Sequence, residues 1–170
     1  MEIWDAYNKD GVMLEQKLVR GQKVPEGVYH IVCEVLVRHK DGGFLLMKRA
    51  LCKGDNGGKY EATSGGSALA GETPDVCIKR ELFEETGIQG ENFEHVRFRA
   101  YDNGSALLHS YVCVTDWPKD KITLQAGETE GWKWVTEEEF VSLLDHPTTI
   151  KEQMDRWHDY LRREGLLKDN

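Results

Sequence analysis

The chain is short of positive charge, of long apolar runs and of paired cysteines. Its 22 Lys and Arg face 30 Asp and Glu, a formal net charge of −8. That balance argues against sequence-independent binding of nucleic acid and against attachment to an anionic membrane surface. Any anionic substrate would need cations gathered locally. The longest apolar stretches, 28–37 and 106–115, carry Glu or His within ten positions, so no membrane-spanning helix is expected. The opening Met1-Glu2-Ile3-Trp4-Asp5 is acidic and has no apolar segment. Neither a signal peptide nor a transit peptide is readable there, and a cytoplasmic location is the expectation. Cys33, Cys52, Cys77 and Cys113 lie far apart with no C-x-x-C pair, which excludes a zinc ribbon and a dithiol redox motif and leaves reduced, structural thiols. No repeat, low-complexity tract or Pro/Ser-rich linker divides the 170 residues. Against ~150 residues as the usual size of one domain, residues 1–170 read as a single domain with its own core.

The remaining pattern is one of strands and helices in alternation. Residues 3–7 and 12–19 read as a hairpin around Asn8-Lys9-Asp10-Gly11. Residues 29–38 and 44–49 read as a second hairpin around Lys40-Asp41-Gly42-Gly43, and their near-continuous apolar character predicts burial on both faces. Residues 50–66, with Gly54, Asp55, Asn56, Gly57 and Gly58, read as loop. A helix over 74–86 has Thr73 as N-cap, Pro74 at its first position and Gly87 as its stop. A third hairpin, 94–101 and 106–115, turns at Asp102-Asn103-Gly104, and 131–135 is a short strand. Helices are predicted over 137–144 and 150–164, the latter with Ile150, Met154, Trp157 and Leu161 as one apolar stripe. Strands interleaved with helices indicate a mixed sheet covered on its faces.

The chemistry gathers on the helix 74–86. Glu81, Glu84 and Glu85 are i, i+3 and i+4 neighbours and share one face. With Cβ atoms ~5 to 6 Å apart, each pair repels by up to ~3 kcal/mol at an effective dielectric of ~20. Such a cluster is either a solvated acidic face or a site for hard divalent cations, and oxygen-only donors select Mg²⁺ or Mn²⁺ over zinc. Composition alone favours the solvated face; the surrounding sequence reverses that. From Gly66 the chain reads Gly, five residues, Glu72, seven residues, Arg80-Glu81-Leu82, one residue, Glu84-Glu85, one residue, Gly87-Ile88. Seven fixed residue types at ~7% each would coincide by chance at ~10⁻⁸ per starting position.

This is the 23-residue Nudix box, G-x5-E-x7-R-E-U-x-E-E-x-G-U with U aliphatic, and every defined position matches. The resemblance to the Nudix hydrolase family extends over roughly 28–165, leaving 1–27 as an N-terminal β-hairpin extension to the core. It implies an α/β/α sandwich with a mixed β-sheet, and metal-dependent hydrolysis of a diphosphate bond in a nucleoside diphosphate linked to another moiety, such as ADP-ribose or a nucleoside triphosphate. It also implies Mg²⁺ or Mn²⁺, with more than one ion per site. Glu81, Glu84 and Glu85 are then the expected metal ligands, the Gly65 carbonyl completes a coordination sphere, and Arg80 orients the carboxylates. Glu72 matches the position that ties loop to helix. A further acid in this family often precedes a late Trp-Val strand. Glu128 is the candidate fourth ligand or general base, with Glu130 as its rival, and Glu81 also stays open as the base.

Lys48-Arg49 closes a strand facing the box loop, so Arg49 or Lys53 is expected to bind substrate phosphate. Gly54 to Lys59 is one residue short of a P-loop, and Tyr60 stands where Ser or Thr is required. Trp4-Asp5-Ala6-Tyr7 and Pro25-Glu26-Gly27-Val28-Tyr29-His30 resemble the branch related to isopentenyl-diphosphate isomerase. Those isomerases carry an active Cys and a metal-binding His in a Cys-Gly-His segment, where this chain has Gly65, Gly66 and Ser67. An isoprenoid-diphosphate enzyme, hydrolase or isomerase, and a catalytically silent nucleotide-binding module are the alternatives. The N-terminal hairpin, outside the minimal domain, is a candidate surface for a homodimer.

Overall fold

The computed structural model describes residues 1–62 and 64–168. The first hairpin forms around its turn signal: β1 (Ile3–Tyr7) pairs antiparallel with β2 (Met13–Val19). The Asn8 side-chain oxygen accepts from the Asp10 and Val12 amides at 3.0 and 2.9 Å, closing the turn with a side chain in place of a backbone carbonyl. This hairpin is a small sheet bridged to the rest at Tyr7 and Tyr29. Trp4 stacks on His30 with ring centroids 4.2 Å apart.

The second hairpin departs from its expectation. Strands β3 (His30–His39) and β4 (Phe44–Arg49) occupy the predicted segments, but they pair at a single rung, Arg38 with Phe44. Beyond that rung they diverge, and segment 50–66, read as loop, contributes two short strands that take the vacated edges. β5 (Tyr60–Glu61) pairs with Met47 and Lys48 of β4, and β6 (Ser64–Ser67) pairs with residues 32–35 of β3. A 3₁₀ turn, Gly54–Asn56, precedes them. Two half-sheets result, joined at one end and open at the other.

On its far edge β3 pairs in parallel with β8 (Ala106–Thr115) along its whole length, and β8 pairs antiparallel with β7 (Asn92–Tyr101) across the Asp102-Asn103-Gly104 turn. On the far edge of β4 runs antiparallel β9 (Thr129–Val135), two residues longer than predicted. Period-two alternation along β3 sends Ile31, Cys33, Val35 and Val37 to one face and Leu36 to the other.

Helix α1 (Pro74–Thr86) covers the first face with Cys77, Ile78 and Leu82. Its ends are as the sequence predicts: the Thr73 hydroxyl accepts from the Val76 amide, and Gly87 is left-handed at φ 75°. The second face is covered by Phe140 of α2 (Glu137–Ser142) and by the C-terminal helical segment. Helix α2 starts on a capping box between Thr136 and Glu139 and stops two residues early, where the Leu143 amide is shared by the Glu139 and Phe140 carbonyls. The last helix is not continuous. It breaks into α3 (Lys151–Met154), a 3₁₀ turn (Asp155–Trp157) and α4 (His158–Arg163), while Ile150, Met154, Trp157 and Leu161 stay buried as one stripe. Residues i and i+3 eclipse in a 3₁₀ turn, so Met154 and Trp157 enter the same core. Gln153 and Arg156 share another direction. Helices on both faces of a mixed sheet make an α/β/α sandwich.

Cys33, Cys77 and Cys113 are buried free thiols and Cys52 is an exposed one. Among the described residues no helix is long and apolar enough to cross a membrane.

Candidate active site

The open end of the two half-sheets is a polar cleft with two adjoining lobes, of about 540 and 270 Å³. Glu85, Gly65, Gly66, Glu128 and Arg20 border both. The wider lobe reaches Glu81, Glu84 and Arg80; the narrower reaches Arg49, Lys53, Glu61, Gln153 and Arg156. Glu81, Glu84, Glu85, Arg80, Gly65, Glu128, Arg49 and Lys53 thus border this one cleft, whereas Glu72 and Glu130 do not.

Strand β6 and helix α1 meet over glycine because nothing larger fits. A methyl group on Gly66 would overlap the Glu81 carboxylate, and one on Gly65 would lie 2.5 Å from the Cys33 carbonyl oxygen. Arg80 is the organiser of the wider lobe. Its Nε and Nη2 bind the two Glu72 oxygens at 2.7 and 2.8 Å, its Nη1 reaches Glu81 at 2.7 Å and Glu84 at 3.2 Å, and its Nη2 also donates to the Ser67 carbonyl. Glu72 accepts in turn from the Leu69 amide at 2.9 Å, so one fork ties the box loop to the helix. The ion pair with Arg80 pulls Glu72 below the ordinary carboxylate range. Burial pushes Glu81 up, with Arg80 opposing.

Glu85 is the extreme case. Burial pushes its carboxyl up to about 8, and the charges of Glu61 and Glu81 add to the effect. Burial also lifts Glu61, even though Arg49 binds it at 3.0 Å and Gln153 donates to it at 3.2 Å. Lys53 pairs with Glu128, whose backbone oxygen accepts from the Ala50 amide. Glu130 turns elsewhere: it binds Lys48 at 2.8 Å and the Leu51 amide at 3.3 Å. Geometry therefore separates the two rivals, placing Glu128 on the cleft.

The donor set is one of hard oxygens carrying more negative charge at its centre than nearby cations cancel, and this suits Mg²⁺ or Mn²⁺. Arg80 draws Glu81 and Glu84 to itself, and among the described residues no three acidic, His or Cys side chains converge to ion-holding distance.

Sequence reading missed Glu61, Gln153, Arg156, Glu34 and Arg20. Arg156 binds Glu34 at 2.6 Å, and Glu34 also accepts from the Ser110 hydroxyl at 2.6 Å. The i, i+3 polar pair Gln153 and Arg156, offset by one from the apolar pair Met154 and Trp157, was the available signal. Arg20 left none, because only the docking of the hairpin brings it here.

Box, cleft and sandwich together define a Nudix-type fold. The NUDIX domain model matches residues 28–159, and the chain belongs to that family. An uncharacterized Nudix hydrolase of Listeria monocytogenes is 29% identical over 144 residues, covering 84% of this chain and 85% of the relative. An isopentenyl-diphosphate Delta-isomerase of Roseobacter denitrificans is 28% identical over 143 residues, covering 81% and 77%. The crystal structure of DR0079 from Deinococcus radiodurans superposes with a TM-score of 0.72 at 16% identity, covering 92% of this chain and 99% of that one. The chain is a Nudix hydrolase with the isomerase-like branch among its relatives.

Proposed function

We propose that the chain hydrolyses a diphosphate bond in a nucleoside diphosphate linked to another moiety, or in a related compound, with Mg²⁺ or Mn²⁺. The observation that carries this reading is the gathering of Glu81, Glu84, Glu85, Glu128 and Gly65 around one cleft, with Arg49 and Lys53 on its narrower lobe. Burial holds a proton on Glu85 up to about 8, and a cationic ligand bound there would favour the ionised carboxylate and displace that proton.

Glu81, Glu84 and Glu85, with the Gly65 carbonyl and Glu128, would hold the ions. Divalent ions bound there lower the pKa of an attacking water and neutralise charge on the phosphoryl oxygens. Arg80 pairs with Glu81 and Glu84 and would share them with the ions, and Glu72 keeps Arg80 in place. Arg49 and Lys53 face the narrower lobe, where they offset phosphate charge beyond the reach of the ions. Water adds to one phosphorus, the bridging P–O bond breaks, and the water's proton passes to Glu128 or Glu81. Catalysis of this kind is positioning and electrostatics rather than covalent chemistry by the protein.

The test is release of nucleoside monophosphate or phosphate from a panel of diphosphate compounds with Mg²⁺. Glu84→Gln and Glu85→Gln are expected to lose at least a hundredfold in turnover (~3 kcal/mol of transition-state stabilisation) with an unchanged far-UV spectrum. Unchanged turnover in both variants would overturn the proposal.

A further inference from the structure

The N-terminal hairpin lies before residue 28, where the NUDIX match begins, yet it builds part of the cleft wall. The β1–β2 ladder runs one step past the Ile3–Val19 pair. The Arg20 amide donates to the Glu2 carbonyl at 3.1 Å, and the Arg20 guanidinium binds the Glu2 carboxylate at 2.6 Å. This end of the hairpin is fixed over the box turn at two points. The Ala70 amide donates to the Ile3 carbonyl at 2.8 Å, and the Gly71 amide donates to the buried Asp5 carboxylate at 2.6 Å. Arg20 is thereby set where it borders both lobes, as Glu85 and Glu128 do.

The cations around the cleft differ in how they are held. Arg80 is committed to Glu72, Glu81 and Glu84, Arg49 to the buried Glu61, and Arg156 to Glu34. Lys53 is paired with Glu128. Each of these holds a carboxylate that is buried or belongs to the acid set, so Arg49 and Lys53 offset phosphate charge while keeping those pairs. Arg20 is different: its partner Glu2 borders the wider lobe but is not among the proposed metal ligands, and the two side chains are 62% and 40% exposed. An exposed pair is held weakly, and a guanidinium exchanges a carboxylate for a phosphate with the same forked geometry.

We propose that Arg20 is a substrate-binding residue, supplied by the extension, that leaves Glu2 to clamp a phosphate of the bound diphosphate. This rests on the reading of the cleft as a diphosphate site. Specificity is then shared between the family core and a hairpin outside it.

Calorimetric titration with α,β-methylene-ADP and Mg²⁺, which does not depend on turnover, tests the clamp in the full chain. Arg20→Ala is expected to weaken binding about tenfold, the loss of one charge-assisted hydrogen-bond pair at a solvated site, and Arg20→Lys to recover part of it. Lys23→Ala, which removes a nearby exposed charge outside the cleft, is expected to change binding less than twofold. In turnover assays Arg20→Ala should raise KM more than it lowers kcat. Equal binding by Arg20→Ala and wild type, an equal loss in Lys23→Ala, or no binding by wild type would each overturn the clamp. The diphosphate reading fails separately, if Glu84→Gln and Glu85→Gln keep full turnover.

Discussion

Replacing Glu85 by Gln should make the metal-free protein more stable while it destroys activity. The folded protein holds the Glu85 proton up to about pH 8, whereas an unfolded carboxyl releases it near 4.5. Between those values the folded state binds more protons than the unfolded one, so stability contributed by the protonated acid is present at low pH and falls as pH rises. Each such pH unit is worth ~1.4 kcal/mol. Relative to an uncharged side chain the penalty amounts to about 2 kcal/mol at pH 6 and approaches 5 kcal/mol at pH 9. Gln keeps the shape and has no charge to bury. Urea denaturation in EDTA, followed by tryptophan fluorescence, should show Glu85→Gln ahead of wild type by a margin that grows by about 3 kcal/mol between pH 6 and pH 9. Saturating Mg²⁺ should narrow the margin, since an ion bound only by the folded wild type stabilises it by mass action. A margin that is the same at both pH values would refute the burial of an uncompensated charge at this position.

Gly66→Ala should push the Glu81 carboxylate off its place and lower kcat at least tenfold, since misplacing one positioned group costs about that much or more; steady-state kinetics alongside a thermal melt would detect it. Glu128→Gln should reduce turnover by about a hundredfold, the scale of a lost general base or ligand. Glu130→Gln, which faces Lys48 and the Leu51 amide, should stay within about twofold. Equal kinetic losses in the two variants would contradict the orientation of this loop.

What the sequence made legible is local. Helix α1 could be bounded to the residue because Thr73, Pro74 and Gly87 each act on their own backbone neighbours. The box could be read because its spacing lies within one loop and one helix. The two outer hairpins were legible from their turn residues for the same reason. The divergence of β3 from β4 was not, because apolar alternation says that a strand is buried and not which strand lies on its edge. Strands of two and four residues in the stretch 60–67 exist only because those edges fall vacant. The break in the last helix is set by the core it packs on, since a continuous helix satisfies the same apolar stripe. Glu61, Gln153, Arg156 and Arg20 reach the cleft through these long-range placements, which explains why a motif within 23 residues could not announce them.

The single rung between Arg38 and Phe44 makes the molecule a book bound at one corner of its spine. From Arg38 to Val32, which floors the narrower lobe, is six residues, ~20 Å at ~3.3 Å each. A tilt of about 3° at the binding would spread the pages by ~1 Å over that span, a displacement able to cost about a hundredfold in rate. A substitution in the Lys40-Asp41-Gly42-Gly43 turn, which lies outside both lobes, is thus expected to change which molecules fit.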